Sequence, residues 1–148
     1  MQNNTNSICK IENLNHVCIA VNNIKESIDF YSKIFGTKAT KITEISDQGV
    51  LATLISLGNT HLEFIQPLDV NGSIAKFIEK RGEGIHHICF EVENLEEKLN
   101  NLGSNDIKLI DKKPRKGLAG TIAFIHPKST NGTLIELVDK HSLQKVDK

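Results

Sequence analysis

Hydrophobic and polar residues alternate in several short stretches of the chain, which is the pattern of half-buried β-strands. Two of these stretches, residues 15–21 (NHVCIAV) and 86–92 (HHICFEV), resemble each other. Each changes to helical spacing at an asparagine, Asn23 or Asn94, that has a glutamate three positions later. This spacing is the capping-box signature of a helix start. The pattern therefore predicts a strand followed by a helix at two places.

Glycines indicate where the two predicted helices end, and apolar stripes indicate which face of each helix is packed. The first helix is expected to stop at Gly36 and the second at Gly103. Their apolar stripes consist of Ile24, Ile28, Tyr31 and Phe35 in the first helix, and Leu95, Leu99 and Leu102 in the second. Further strands are predicted in GVLATLISLG, HLEFIQP, GTIAFIHP and GTLIELVD, which Gly and Pro separate. A short helix at 73–82, capped by Ser73, is predicted between the two halves.

The chain contains an internal repeat. With His16 placed over His87, the two copies lie 71 residues apart, and the last strands of each half correspond at an offset of 73 residues. Both halves are predicted as strand, helix and further strands, which is an α+β class. The predicted organisation is a single domain over 10–140 with modules at about 10–68 and 83–140. Polar tails are expected at 1–9 and 141–148.

Strand alternation assigns a face to each polar residue of the repeat, because neighbouring side chains on a strand point to opposite sides. His16 and, through the repeat, His87 are predicted on the open face, whereas His86 is predicted to face away as a flanking residue. Glu63 and Glu136 alternate with apolar neighbours and so also point to the open face. If the two copies bring their open faces together, two histidines and two glutamates share one site.

Two neutral imidazoles and two carboxylates suit a borderline divalent ion and leave two of six coordination positions for a chelating substrate. The predicted ligands are His16, Glu63, His87 and Glu136. We expect one ion per subunit, Co²⁺ ahead of Mn²⁺, Ni²⁺, Zn²⁺ or Fe²⁺.

Composition excludes several other classes. Lys plus Arg and Asp plus Glu each number 18, so no net charge favours nucleic acid. Three cysteines without CxxC spacing, Cys9, Cys18 and Cys89, argue against a disulfide framework or a thiolate zinc site. The polar start and the lack of a long apolar run predict a cytoplasmic protein that does not contact the membrane.

The same residues carry a family resemblance that covers about residues 11–138. The stretches NHVCIAV, FYSKIFG, DQGV, LEFIQPL, SIAKFIEKRGEGIHHICFEV and FIHPKSTNGTLIEL follow in order the pattern of the vicinal oxygen chelate superfamily. Within it, GEGIHHI and HPKS resemble the methylmalonyl-CoA epimerases. The resemblance implies paired βαβββ modules around a cup-shaped metal site, with ligands at His16, Glu63, His87 and Glu136. It also implies a homodimer.

The implied reaction interconverts the R and S forms of methylmalonyl-CoA through an enolate. Glu136 is the first candidate base and Glu63 the second, and Gln48 of DQGV is implied as a substrate-binding residue. The family's second acid/base position is Ala52 here. Weaker substitutes are Glu44, Asp47 and Glu91.

Three other functions stay open. A glutamate at position 63 is a point of resemblance to lactoylglutathione lyase. An iron-dependent dioxygenase would use two histidines and one carboxylate as ligands. The same fold also serves metal-free small-molecule binding or resistance proteins. A basic run, Lys112, Lys113, Arg115 and Lys116, is predicted either to contact the CoA phosphates or to be a solvated loop.

Overall fold

The structure is a computed structural model that describes residues 6–144. These residues form two compact units: a first unit of residues 15–88, and a second unit of residues 6–14 and 89–144. No helix in the described part of the chain is long and apolar enough to cross a bilayer.

The first unit follows the predicted order of strand, helix and strands. It contains most of β1 (Asn13–Ala20), then α1 (Ile24–Phe35), β2 (Thr43–Ile45), β3 (Val50–Leu57), β4 (Thr60–Pro67), α2 (Ser73–Arg81) and the start of β5 (Gly84–Val92). The strand order is β2-β3-β4-β1, in which β1 runs parallel to β4 and the other pairs are antiparallel.

The second unit repeats this arrangement. After the end of β5 come α3 (Leu95–Ser104), β6 (Arg115–Lys116), β7 (Thr121–Ile125) and β8 (Ile135–Asp139). Their order is β6-β7-β8-β5, so each strand takes the place of its counterpart in the first unit. The predicted α+β class and the paired βαβββ modules are therefore confirmed.

Helix α1 begins and ends as the sequence predicts. The Asn23 side chain accepts a hydrogen bond of 3.1 Å from the Glu26 amide, and Gly36 closes the helix with φ of 65°, a conformation that favours glycine. Ile24 packs with Val21, Ile55 and Phe64 in a core cluster. Phe35, predicted on the apolar stripe, is instead 64 % exposed.

Helix α3 differs from its prediction at both ends. Asn94 has φ of 50° and its side-chain amide donates 2.8 Å to Glu97, so it accepts no bond from the first turn. The first amide of the helix, that of Leu95, instead donates to Asp139 of β8. The helix also continues through Gly103, because a glycine inside a helix costs only about 1 kcal/mol relative to alanine.

Three shorter features were not predicted correctly. Ser73 is the first residue of α2 rather than its cap, which is Gly72. Strands β2 and β6 have three and two residues, too few to show alternation in the sequence.

Candidate metal centre

Three of the four predicted ligand residues, His16, Glu63 and His87, lie together in the first unit. The Nε2 atoms of His16 and His87 are 3.3 Å apart. Glu63 Oε1 lies 3.7 Å from Nε2 of His16 and 3.8 Å from Nε2 of His87. All three side chains are buried, with exposed fractions of 1 %, 6 % and 5 % for His16, Glu63 and His87.

Strand register brings the first two residues together. In the parallel pair of β1 and β4, Cys18 lies opposite Glu63. Because side chains two positions apart share a face, His16 lies on the same face as Cys18 and therefore as Glu63. The neighbours of Glu63, Leu62 and Phe64, pack instead into the cluster beneath α1.

Burial makes both histidines neutral and makes the carboxylate hard to ionise. Burial lowers the pKa of His16 to about 4, with the nearby His61 as a smaller cause, and lowers the pKa of His87 well below its usual value. Burial raises the pKa of Glu63 to about 7, although a hydrogen bond with Cys18 offsets part of that effect. Neutral imidazoles are the form that binds metals, and a nearby cation would stabilise the buried carboxylate.

The far side of each imidazole is held by the residue that precedes it in the sequence. The Nδ1 of His16 lies 2.6 Å from the Asn15 side-chain oxygen, and the Nδ1 of His87 lies 2.9 Å from the Nδ1 of His86. His86 was predicted to face away from the site as a flanking residue, and its contact with His87 was not predicted. The ring of His86 packs edge-on against Phe77 of α2 and turns its Nδ1 back toward His87.

The three ligand atoms fit a divalent ion. Ligands about 2.1 Å from a common zinc-like ion are separated by about 3.0 Å in octahedral and about 3.4 Å in tetrahedral geometry. The observed separations of 3.3, 3.7 and 3.8 Å are close to these values. The distances of 3.7 and 3.8 Å are too long for good hydrogen bonds between the carboxylate and either imidazole. The chain thus contains a group of residues that could hold a metal ion.

Metal binding should release a proton from Glu63 below pH 7. Because burial raises its pKa to about 7, the carboxyl group is mostly protonated at pH 6 and must lose that proton to bind a cation. Calorimetry in buffers of different ionisation enthalpy should therefore give about one proton released per ion at pH 6 and almost none at pH 8.5. Glu63→Gln should remove the difference between the two pH values. An equal release from this variant would assign the proton to another group.

Glu136, the fourth predicted ligand, lies on β8 of the second unit. Its side chain is buried, with 6 % exposed, and its backbone pairs opposite Phe124 of β7. Gln48 ends a 3₁₀ turn (Ser46–Gln48) before β3 and is half-buried.

The residues considered as the second acid/base lie in different surroundings. Ala52 is completely buried within β3, whereas Glu44 and Asp47 are exposed. Glu91 is buried and accepts a 3.0 Å hydrogen bond from the Asn13 side chain.

One member of the basic run is already engaged by its own unit. Arg115 forms a 3.0 Å ion pair with Asp111 and places its guanidinium over the ring of Phe124 at 5.4 Å. These contacts favour a structural role for Arg115 over contact with a phosphate.

Sequence reasoning did not single out Asn15 or Cys18. Asn15 and His86 each stand directly before a predicted ligand, so the repeat offered a signal for both as supporting residues. Cys18 is fully buried and its thiol hydrogen-bonds Glu63. Its position opposite Glu63 depends on strand register, which the sequence did not show.

Comparison with known proteins places the chain in a family. Residues 15–125 match the Glyoxalase/Bleomycin resistance protein/Dioxygenase superfamily. The chain belongs to this superfamily, which confirms the predicted fold.

The similar proteins within the superfamily include methylmalonyl-CoA epimerases. The chain is 37 % identical to the mitochondrial methylmalonyl-CoA epimerase of Dictyostelium discoideum over 88 % of this chain and 80 % of that protein. It is 36 % identical to the ethylmalonyl-CoA/methylmalonyl-CoA epimerase of Cereibacter sphaeroides over 86 % and 97 % of the two chains. The crystal structure of methylmalonyl-CoA epimerase from Mycobacterium tuberculosis superposes with a TM-score of 0.82 at 33 % identity, covering 91 % of each chain. The resemblance to the epimerases is thereby confirmed.

Proposed function

We propose that this protein is a metal-dependent epimerase that interconverts the R and S forms of methylmalonyl-CoA. The observation that carries the proposal is the buried group of two neutral imidazoles and a carboxylate in a chain similar to such epimerases over most of its length. The substrate is a CoA thioester with a carboxylate on the carbon that loses its proton.

The proposed ligands are His16, Glu63, His87 and Glu136, and Co²⁺ is the proposed ion. Glu136 completes the set because it corresponds to Glu63 in the repeat and is likewise a buried carboxylate on a strand. A divalent ion held by these residues would supply a positive charge beside the thioester oxygen, where negative charge develops as the proton leaves.

Proton transfer is assigned to the carboxylates. Epimerisation removes the C2 proton on one face of the carbon and returns a proton on the other face, so it needs a proton acceptor and a donor. Glu136 is the first candidate base and Glu63 the second. The pKa of Glu63, raised to about 7 by burial, suits proton exchange near neutral pH, but a cation beside it would lower that pKa again. Gln48, at the end of the 3₁₀ turn before β3, is proposed to position the substrate.

Hydrogen exchange tests the proposal directly. The purified protein with Co²⁺ should exchange the C2 proton of methylmalonyl-CoA for deuterium in heavy water, and the two epimers should interconvert. Removal of the ion with a chelator should stop both reactions, and added Co²⁺ should restore them. Ethylmalonyl-CoA, used in parallel, measures how far the site accepts a longer 2-substituent. Absence of exchange by metal-loaded protein would refute the epimerase function.

We further propose that residues 10–140 act as one domain, which forms a homodimer in the cytoplasm. Exposed apolar side chains on α1, among them Phe30, Ile34 and Phe35, are compatible with burial against a second copy. Light scattering of the purified protein at micromolar concentration should give twice the mass of the chain. A monomer under these conditions would contradict the dimer without bearing on the chemistry.

A further inference from the structure

Four side chains of the first unit form a continuous hydrogen-bonded chain through the candidate centre. Asn15 contacts Nδ1 of His16 at 2.6 Å, Nε2 of His16 contacts Nε2 of His87 at 3.3 Å, and Nδ1 of His87 contacts Nδ1 of His86 at 2.9 Å. Three of these side chains are imidazoles, and each neutral imidazole carries one proton that can lie on either nitrogen.

The direction of this chain follows from its first contact. The Asn15 oxygen can only accept, so the proton of His16 lies on Nδ1 and its Nε2 can only accept. His87 must then donate from Nε2, which leaves its Nδ1 as an acceptor. His86 in turn donates from Nδ1. Without a metal ion, all three histidines therefore donate in the same direction, toward Asn15.

A bound metal ion requires a different arrangement of the imidazole protons in only one of the two copies of the repeat. Coordination by Nε2 needs a bare nitrogen on both His16 and His87. His16 already has it, because Asn15 holds its proton on Nδ1. His87 has to move its proton from Nε2 to Nδ1. The Nδ1 of His86 must then accept a hydrogen bond from the Nδ1 of His87, so His86 carries its own proton on Nε2. Each ring keeps one proton throughout, so the change is one of tautomer and not of charge.

We propose that metal binding switches the tautomers of His87 and His86 and leaves that of His16 unchanged, and that Asn15 and His86 are positioning residues for the two ligand rings. The inference rests on the proposed metal site and adds a role for residues outside the ligand set. It makes the two halves of the repeat unequal, since Asn15 is fixed as an acceptor whereas His86 can donate or accept.

Ring nitrogen spectroscopy tests the switch without substrate. Protein labelled with ¹⁵N-histidine is compared after chelation and after addition of Zn²⁺, which is diamagnetic, using spectra that correlate ring nitrogens with ring carbon-bound protons. His16 should show a protonated Nδ1 in both states. His87 should change from a protonated Nε2 to a protonated Nδ1, and His86 should change in the opposite sense. A protonated Nδ1 on His87 in the chelated protein would overturn the switch.

Two variants of the same residue test the positioning role. His86→Leu removes the acceptor and should weaken Zn²⁺ affinity about tenfold to a hundredfold, the usual scale for losing a residue that supports a ligand. His86→Asn should restore most of the affinity, because the asparagine oxygen occupies a position similar to Nδ1 and accepts in the same way. The same contrast is expected at His16: Asn15→Leu should weaken Zn²⁺ affinity, and Asn15→Asp, which keeps an accepting oxygen, should retain most of it.

The outcomes separate this inference from the proposed function. Equal Zn²⁺ affinity of the His86→Leu and His86→Asn variants would refute the positioning role even if both keep epimerase activity. Wild-type protein that binds no divalent ion would refute both the ligand set and the switch. Circular dichroism of each variant shows whether it is folded, and the spectra of the wild-type protein decide the switch independently of any variant.

Discussion

Glu136→Gln should lower the rate of epimerisation by about two orders of magnitude or more, the usual scale for losing a positioned acid or base. The amide oxygen that replaces the carboxylate can still coordinate an ion, but it does not take a proton from carbon. We therefore expect the fall in kcat rather than in KM, with the metal content kept. Exchange kinetics in heavy water, together with metal analysis of the same sample, measure both quantities.

A matched substitution controls for the change of charge. Glu96→Gln alters an exposed glutamate in the first turn of α3 and should leave the rate unchanged. If Glu136→Gln keeps both its metal and full activity, Glu136 is at most a ligand. The exchange assay would then be repeated on Glu63→Gln to locate the base.

The second large effect concerns metal binding. His87→Ala should weaken divalent-metal affinity by at least about a hundredfold, since roughly 10–16 kcal/mol for a four-ligand zinc site amounts to about 3 kcal/mol per ligand. The expected effect exceeds that of His86→Leu, because His87 contributes the ligand atom itself. Competition titration with a chromophoric chelator measures the affinity of each variant.

His141→Ala is the control for this substitution, because the His141 side chain is 73 % exposed and lies in the second unit. Its affinity should equal that of the wild type. A His87→Ala protein that binds metal normally would remove His87 from the ligand set.

The sequence determined most of the architecture by itself. Strand alternation, the Asn23 cap and Gly36 predicted β1 and α1 correctly, because these signals act over a few residues of the chain. The repeat predicted that the second half would have the same order of elements, and it also selected His16, Glu63 and His87. Residues with the same place in two copies of one fold take equivalent positions, which is why this inference did not need coordinates.

Long-range contacts decided what local patterns do not encode. The Leu95 amide bonds to Asp139, which lies 44 residues later, so the capping of α3 depended on β8 and not on Asn94. Alternation predicted that His86 and His87 point to opposite sides of β5. It did not predict that the two rings meet through their Nδ1 atoms, because side-chain torsions and the packing of Phe77 against His86 determine that contact. The sequence therefore determined that His16, Glu63 and His87 were candidates for one centre, and the tertiary structure determined which neighbours contact the two imidazoles.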